Sequence, residues 1–485
     1  MGLADIEKTN PSTVDAAPNR WDLDLPSAKV DAALEFLQSE GIALATFSTI
    51  NERILVRKID YMIMPLMWAC YNLQYLDKTI LFANLALAFY VTYLVFELPT
   101  GYLMQRFPTA KYLGLNVILW GVMTTLNCTA STFGGLMTLR ILLGIFESAI
   151  APALILITSM WYKRHEQPIR MATWYIGTGT ASIMGALVAY GLLFYSADKF
   201  RSWQLLFLIF GLITIIVGIT VVLFLPDNPM SSRLSHDEKI LAIERLRENK
   251  TGIENKHFKK EQFYEVFKDP QTYLIAVIVA AMDVPNAAGS SFSALIIQSF
   301  GFTTEQTELL SIPGGVISVV SILVGNYIAG RTNQRCLVAT ASLTAGLLGG
   351  CLMAFGQGQA VRLAGNYLMS CSGPALPLMY ALAGANVAGH TKKVTMNAVL
   401  LMSFCLGNIL GPLTFRTKDQ PEYMPAKIAI VATTSVAIVF SLALLLYYRF
   451  ENRRRDRDWG CAVHQENSEF LDLTDRQNRE FRYTY

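Results

Sequence analysis

The stretch Leu139-Arg-Ile-Leu-Leu-Gly-Ile-Phe-Glu-Ser-Ala149 places two ionisable residues, Arg140 and Glu147, inside an otherwise apolar run. A charged group within a membrane-spanning helix is costly and usually faces a bundle interior or a water-filled cavity. A separation of two helical turns puts both side chains on nearly one face, roughly 10 Å apart along the axis. Gly144 lies between them, where the missing side chain lets another helix or a ligand approach. The pattern favours two groups that line one cavity, and the alternative is buried charges that only stabilise packing.

The composition of the whole chain is typical of a polytopic membrane protein. Its 485 residues are 53% hydrophobic and 16% charged, whereas a soluble domain is about one quarter charged. The net charge of +3 is too small to indicate a nucleic-acid partner. The seven cysteines form no CxxC pair, so we expect neither metal nor disulfide roles. The sequence contains no HExxH, Gly-x-Ser-x-Gly or phosphate-loop motif, and we therefore expect no enzyme activity and no cofactor.

Apolar runs of about 20 residues, the length that crosses the hydrocarbon core, follow one another along the chain. They predict an all-α membrane protein with twelve transmembrane helices in two six-helix bundles. The predicted spans are 59–81, 84–104, 112–131, 136–159, 172–195, 204–225, 271–297, 307–329, 336–355, 363–385, 394–414 and 427–448. The predicted domains are an N-terminal tail (1–57, without a cleavable signal peptide), an N-terminal bundle (58–225), an interdomain loop (226–270), a C-terminal bundle (271–448) and a C-terminal tail (449–485).

Lysine and arginine residues predict the side of the membrane on which each loop lies. Alternate loops and the flanks of both termini carry more of these residues than the opposite loops do. The positive-inside rule therefore places both termini and the interdomain loop in the cytoplasm. We expect a monomeric multi-pass protein of the plasma membrane, with the vacuole or another internal membrane as the alternative and the lipid bilayer as its surroundings.

A weak internal repeat relates the two predicted bundles. The segment Gly101-Tyr-Leu-Met-Gln-Arg106 follows the second span, and its counterpart Asn326-Tyr-Ile-Ala-Gly-Arg331 follows the eighth. Both segments lie at equivalent places on the predicted cytoplasmic side. Two halves related by an axis along the membrane normal, with a binding site between them at the midplane, are an architecture of transporters.

These segments resemble conserved motifs of the major facilitator superfamily. Gly101, Gln105, Arg106 and Lys111 are similar to its motif between the second and third helices, with Gln105 where an aspartate is usual. The resemblance implies a gating role for these four residues and for Arg331.

Further segments resemble the anion:cation symporters of that superfamily, and among them the fungal allantoate permeases, over residues 27–485. Their order and spacing carry the resemblance more than any single motif does. The segments are Arg57-Lys-Ile-Asp60, Asn72-Leu-Gln-Tyr-Leu-Asp-Lys78, Phe96-Glu-Leu-Pro99, Arg140-x-x-x-Gly144, Phe146-Glu-Ser148, Phe224-Leu-Pro-Asp227, Asn386-Val-Ala-Gly-His-Thr-Lys392, Gly407-Asn-Ile-Leu-Gly-Pro412 and Leu471-Asp-Leu-Thr-Asp475 with Asn478 and Phe481-Arg-Tyr483.

The resemblance implies roles for four ionisable residues. In that family an acidic–basic dipeptide in the first helix and an Arg and a Glu in the fourth bind substrate and proton; the matching residues are Asp77, Lys78, Arg140 and Glu147. A carboxyl in a medium of low dielectric can load and release a proton, and a guanidinium can donate two parallel hydrogen bonds to a carboxylate. We expect Arg140 and Lys78 to bind a small organic anion, and Glu147 and Asp77 to carry the proton. The proton gradient, with no cofactor, would then drive transport.

The connection between the first two spans departs from this family, whose members generally carry a long polar outer loop there. Lys78 runs almost directly into the apolar segment 80–90, and the turn is predicted within a few residues of Asn84. Asp77 and Lys78 would then lie nearer the outer surface than usual, and an ordinary ion pair at the helix end is the alternative. Either the family site is shifted or this form of the chain is incomplete.

Polar residues in the seventh span are further candidates for the cavity. Asp283, Pro285 and Asn286 interrupt an apolar run beside Gly289-Ser-Ser291. A helix broken by Pro or Gly at membrane depth is tolerated where it lines a cavity. We expect Asn286 or Ser290 to contact the substrate and Asp283 to cap the break, with a packing kink as the alternative.

The eleventh span and the turn before it add three more polar residues. Asn397 and Asn408 are candidates for substrate contact, and the alternative is that they form hydrogen bonds between helices. His390 lies in the predicted cytoplasmic turn beside Lys392 and Lys393, where either a gating contact or solvation would explain it.

These features favour proton-coupled import of a small anion, such as allantoate, ureidosuccinate or nicotinate, by alternating access. The first alternative is export of a metabolite or drug by proton antiport. The segment Gly177-Thr-Gly179 with Gly185 argues against export, because it lacks the Gly-Pro step that antiporters of the superfamily carry there. The second alternative is a nutrient sensor built on a transporter fold. Related chains reuse one scaffold for many substrates, so the sequence does not identify the anion.

Overall fold

The computed structural model describes residues 51–78, 83–130, 132–163, 165–193, 202–246, 258–416, 419, 422–459, 473–478 and 480–485. The regular elements in these ranges are helices. The predicted all-α class is therefore confirmed.

The long helices are numbered α1 to α12 in chain order, and each interrupted helix keeps one number. The N-terminal half contains α1 (Glu52–Lys78), α2 (Ala83–Arg106), α3 (Thr109–Leu126), α4 (Phe133–Glu147 and Ile150–Trp161), α5 (Gln167–Tyr175 and Gly177–Leu193) and α6 (Ser202–Phe224). The C-terminal half contains α7 (Pro270–Gln298), α8 (Thr304–Thr332), α9 (Arg335–Phe355), α10 (Gln359–Met369 and Ala375–Asn386), α11 (His390–Leu413) and α12 (Met424–Trp459). Two shorter helices, His236–Leu246 and Lys260–Lys268, lie between the halves in sequence.

Ten helices in the described part of the chain are long and apolar enough to cross a membrane. They match the predicted spans except the first and the third, which correspond to α1 and α3. Both of these are helical, but α1 begins with the charged segment Glu52–Asp60, and the 18 residues of α3 include the polar Lys111 and Asn116. The chain is therefore a multi-pass membrane protein.

Helix α4 is interrupted directly after Glu147, at Ser148 and Ala149. Pro152 has no N–H to donate to the carbonyl of Ser148, and its ring crowds that carbonyl, so the sequence itself explains the interruption. The Ser148 hydroxyl instead donates to the carbonyl oxygen of Ile145, at 2.8 Å.

The predicted interruption of the seventh span is wrong. Helix α7 runs without a break from Pro270 to Gln298 and contains Pro285. The Asn286 Nδ2 donates to Asp283 Oδ1 at 3.0 Å, so these two side chains pair one turn apart on a continuous helix. Asp283 therefore caps no break.

The two halves meet along two pairs of helices, α5 with α8 and α2 with α11. We call the end of the bundle that carries residues 473–485 the tail side, and the opposite end the far side. In the tail half, the segments Ile150–Trp161 and Ala375–Asn386 are completely buried. The halves are therefore packed together on the tail side.

Each half carries one of the short helices on its tail side, which we call its cap. The cap of the N-terminal half, His236–Leu246, contacts α1 through an ion pair between Lys58 Nζ and Glu238 Oε2, at 2.6 Å. Arg245 of the same cap pairs with Glu52 at 3.1 Å and with Glu166 at 2.6 Å. The cap is therefore bound to its half at both ends.

The cap of the C-terminal half, Lys260–Lys268, is fastened by Lys392 of α11. The Lys392 Nζ lies 2.9 Å from Glu265 Oε1, 2.9 Å from Asp269 Oδ2 and 2.7 Å from Asp475 Oδ1. His390 is also buried and begins α11. Solvation, one of the two explanations left open for this segment, is therefore wrong, because the cap and the C-terminal residues cover it.

Candidate functional site

A cavity of about 440 Å³ lies between the two halves, in the far half of the bundle. Helices α1, α5 and α6 line it from the N-terminal half, and α7, α8 and α10 from the C-terminal half. Since polar groups of both halves face one space, the cavity suits a small polar solute. Its polar wall includes Tyr75, Thr178, Ser182, Asn286, Glu308 and Asn366.

One of the four predicted amide and hydroxyl residues lines this cavity. Asn286 belongs to its wall, whereas the side chain of Ser290 lies outside the described residues. Asn397 and Asn408 are buried elsewhere in α11. Asn408 Nδ2 donates to the carbonyl oxygen of Phe404 at 2.8 Å, so its hydrogen bond stays within its own helix and does not join two helices.

The charged pair of α4 is buried where the sequence places it. Arg140 is 2% exposed and Glu147 is 0% exposed. The expected close approach at Gly144 is present, because a Cβ there would lie 2.7 Å from the carbonyl oxygen of Phe89 in α2. The Arg140 guanidinium lies over the ring of Phe207 in α6, 5.2 Å from its centre. Arg140 thus faces α6, a neighbouring helix of its own half.

Phe207, the ring that Arg140 contacts, belongs to a segment of α6 that also lines the cavity. Leu206 and Phe210 of α6 line the cavity, and Phe207 lies between them in sequence. Neither Arg140 nor Glu147 belongs to the cavity wall in this conformation.

Asp77 and Lys78 are the last residues of α1, at the far end of the helix. Tyr75 and Leu76, just before them, line the cavity. Asn84 lies within α2. The connection between α1 and α2 therefore consists of residues 79–82, which lie outside the described residues. The side chains of Asp77 and Lys78 also lie outside them. The helix thus brings this dipeptide to the far end of the cavity.

Four aromatic residues lie on the tail side of the cavity, and we call them the aromatic cluster. Tyr71 lies 4.8 Å from Trp174 and 5.2 Å from Tyr175, between ring centres. Trp174 of α5 stacks on Tyr380 of α10 at 6.2 Å. All four are buried. Because Tyr380 belongs to the other half, the cluster closes the cavity toward the tail side.

The predicted gating residues of α2 contact the other half. Gln105 Nε2 donates to Thr391 Oγ1 of α11 at 3.1 Å. A Cβ at Gly101 would lie 3.3 Å from Cγ1 of Val394, so the glycine allows α11 to pack closely on α2. The two contacts lie one turn apart and join the halves on the tail side.

The basic residues of the repeat have the same local geometry in the two halves. Arg106 lies over the ring of Tyr102, 6.0 Å from its centre. Arg331 lies over the ring of Tyr327 at 5.5 Å. The sequence repeat therefore corresponds to a structural repeat at the exposed ends of α2 and α8.

Lys111, the fourth of the predicted gating residues, contacts Asp227 through its backbone N–H. Its N–H and that of Ala110 donate to Asp227 Oδ1, at 3.3 Å and 3.0 Å. The carboxylate thus satisfies free N–H groups in the first turn of α3 and faces the positive end of that helix. This contact fastens the start of the interdomain segment to α3.

The sequence interpretation missed several residues. Glu308 and Asn366 line the cavity but belong to no segment that the sequence singled out, and Tyr75 lies in the segment Asn72–Lys78, where no role was assigned to it. Glu97 is 0% exposed within α2. The sequence could have identified Glu97 as a candidate, because it is an acidic residue inside a predicted span, as Glu147 is.

A helical bundle in two halves with a polar cavity between them defines a membrane transporter. The family model described as Major Facilitator Superfamily matches residues 54–412. The chain belongs to this superfamily, whose members are transporters and not enzymes, and it carries a small-molecule substrate across a membrane.

Two relatives in baker's yeast indicate the group to which the chain belongs within the superfamily. It is 32% identical to the allantoate permease of Saccharomyces cerevisiae, covering 94% of this chain and 91% of that protein. It is 33% identical to the thiamine pathway transporter of the same yeast, covering 94% of each. The chain is thus an allantoate-permease-like transporter.

Solved structures agree on the fold. The proton:xylose symporter bound to 6-bromo-6-deoxy-D-glucose superimposes with a TM-score of 0.64 at 13% identity, over 80% of this chain and 95% of that one. This likeness confirms the predicted major facilitator fold.

Proposed function

We propose that the protein imports a small organic anion together with protons across the plasma membrane, by alternating access. The tail side would face the cytoplasm, as the distribution of basic residues predicts. The cavity would then lie in the outer half of the membrane, with the aromatic cluster and the α2–α11 contact closed beneath it. The identity of 32% to an allantoate permease supports allantoate or a similar carboxylate as the substrate.

The burial of Arg140 and Glu147 on one stretch of α4 carries this proposal. A buried guanidinium is a fixed positive charge beside the cavity and can donate two parallel hydrogen bonds to a carboxylate. A buried carboxyl two turns away can bind and release a proton. The two functions, anion binding and proton binding, are thus assigned to separate groups on one helix.

The driving force depends on how many protons accompany the anion. A monoanion that enters with one proton moves no net charge, so the pH gradient alone drives its accumulation. A second proton would add about 2.3 kcal/mol per 100 mV of membrane potential. Either stoichiometry yields uptake that increases as the outside becomes more acidic.

The test is uptake of radiolabelled allantoate by a yeast strain that lacks its own allantoate permease. We expect saturable uptake that is faster at acidic than at neutral pH and that a protonophore abolishes. Unlabelled ureidosuccinate, nicotinate and thiamine, added as competitors, would rank the substrates. If neither allantoate nor any competitor tested in labelled form enters in a pH-dependent way, the proposal is wrong and export or sensing is favoured.

The proton role of Glu147 has its own test in the same assay. Glu147→Gln should still exchange allantoate across the membrane but should not concentrate it. Glu305→Gln, which changes an exposed acid at the far end of α8, is the matched control. Accumulation by Glu147→Gln equal to that of the wild type would assign proton coupling to another residue.

A further inference from the structure

Glu97 of α2 is a buried acid in the interior of the N-terminal half. Its side chain is 0% exposed, and neither carboxyl oxygen has a hydrogen-bond partner among the residues that the structure describes. An ionised carboxylate in an apolar interior is unfavourable unless it is paired, and such a group becomes neutral by binding a proton. In the closed arrangement described here, Glu97 is therefore a carboxylic acid that holds a proton.

Glu97 lies on the face of α2 that packs on α4. Tyr93 and Thr100 flank it one turn away on that face. The Thr100 hydroxyl lies 3.0 Å from that of Ser148, which directly follows Glu147. The two acids thus belong to one helix–helix interface.

The titratable groups described around Glu97 supply no positive charge that would stabilise its ionised form. Three of them are phenols, which are neutral and give a carboxylate no charge compensation. Tyr93 also interacts electrostatically with Glu147 and with the Cys405 thiol. By helix, the groups are Tyr93 on α2, Tyr112 on α3, Glu147 on α4, Tyr380 on α10 and Cys405 on α11.

The contact that closes the tail side lies next to Glu97. Gly101 is one turn further along α2 and packs on Val394 of α11, in the other half. The hydrogen bond from Gln105 to Thr391 is one turn further still. Separation of α2 and α11 would therefore open a path for water from the tail side to Glu97.

We propose that Glu97 is a proton-binding site of the transport cycle, which keeps its proton while the tail side is closed and releases it to the cytoplasm when α2 and α11 separate. On release, the O–H bond of the acid breaks, a water molecule takes the proton as hydronium, and the carboxylate becomes hydrated. This proposal deepens the proton-coupled function proposed above and rests on it.

Infrared spectroscopy tests the bound proton without any substrate. A protonated carboxylic acid has a carbonyl stretching band above the amide I region, which shifts in D₂O. We expect the full-length protein in liposomes to show this band at neutral pH and Glu97→Gln, which has the same shape, to lose the part of it that Glu97 contributes, as a difference spectrum against the wild type would show. Glu305→Gln should keep it, because Glu305 is exposed. A band unchanged in Glu97→Gln overturns the proposal.

A bulky side chain that forces α2 and α11 apart, which we call a wedge, tests the release of the proton. Gly101→Leu cannot pack on Val394 and should hold the tail side open, so Glu97 should lose its band at neutral pH although the residue is present. Val394→Trp introduces the wedge from the other helix and serves if the first variant does not fold, as judged by gel filtration. A full band in a folded wedge variant contradicts release on opening.

Transport by Glu97→Gln separates this proposal from the function on which it rests. In liposomes, the variant should exchange labelled allantoate at a rate within about twofold of the wild type, while accumulation driven by a pH gradient falls below that of the wild type. Accumulation equal to that of the wild type refutes the role of Glu97. Absence of accumulation in the wild type refutes the proposed function, and the infrared band then still decides whether Glu97 holds a proton.

Discussion

Lys392 of α11 and Asp475 of the C-terminal segment form a buried ion pair, with Nζ 2.7 Å from Oδ1. The Lys392 side chain is 1% exposed and that of Asp475 is 0% exposed. The pair joins the end of the chain to the start of a helix that also contacts the opposite half. Because Glu265 and Asp269 share the same ammonium group, Lys392 is the common cation of a cluster of three acids.

Replacing Lys392 should destabilise the protein strongly. Lys392→Met leaves buried carboxylates without their cation, a change that costs about 3–5 kcal/mol in comparable buried pairs. We expect a lower unfolding temperature of the purified protein in detergent. Asp475→Asn, which keeps the shape and leaves two acids on the lysine, should cost much less. An unchanged unfolding temperature for Lys392→Met would show that the cluster adds no stability.

Replacing Gln105 should shift the protein toward the state that is open on the tail side. Gln105→Ala removes the hydrogen bond to Thr391, worth about 1 kcal/mol, or about fivefold in the equilibrium between the two states. A cysteine at Ser159, which is buried beside Gly384 of the other half, reports the opening in a cysteine-free background. Its labelling rate by a maleimide should rise about fivefold. Thr332→Ala, at the exposed end of α8, should leave the rate unchanged.

Replacing Arg140 by lysine should weaken substrate binding and leave the charge in place. The lysine cannot form the two parallel hydrogen bonds of a guanidinium. Losing one charged hydrogen bond costs about 1.5 kcal/mol, which is about tenfold in affinity. We therefore expect KM for allantoate uptake to rise about tenfold with little change in maximal rate. Arg140→Met should abolish saturable uptake, and a KM equal to that of the wild type in either variant would remove Arg140 from the site.

The cap of the N-terminal half should loosen in acid. The hydrogen bond and ion pair from Lys58 lower the pKa of Glu238 below its usual value of 4.5. A carboxyl whose pKa is lowered by folding stabilises the docked state above its unfolded pKa, and this contribution is lost as pH falls through the lowered value. Hydrogen exchange of His236–Leu246, corrected for intrinsic rates, should therefore accelerate below about pH 4.5.

Lys58→Met removes the cause of this shift. In that variant the cap should already exchange faster at neutral pH and should respond less to acid. An equal acid response in the variant and the wild type would show that another group controls the cap.

The sequence predicts those features that depend on local pattern. The length of the apolar runs located the helices, and the spacing in α4 placed Arg140, Gly144 and Glu147 on one buried face. The repeat anticipated the equivalent positions of Arg106 and Arg331. In each case the determining residues lie within a few turns of one another.

Features that depend on distant partners were not predictable in this way. Lys392 reads as a solvated loop residue, because the acids that bury it are 83 to 127 positions away. The polar wall of the cavity combines helices from both halves, and their rotation depends on tertiary packing. Pro285 was interpreted as a helix break, whereas neighbouring helices can hold a proline-containing helix continuous at membrane depth.

The two caps have a consequence for the energy of the transport cycle. Glu238 and Arg245 bind one cap to the N-terminal half, and Lys392 binds the other to the C-terminal half. In the alternating-access cycle that we propose, each half would rock as a body with its cap attached, and these ion pairs would stay intact. The named contacts that must break are weak ones, the Gln105–Thr391 hydrogen bond and the Trp174–Tyr380 stacking. Reversing a 1:99 equilibrium takes about 5.5 kcal/mol, an amount that a bound anion and its protons can supply.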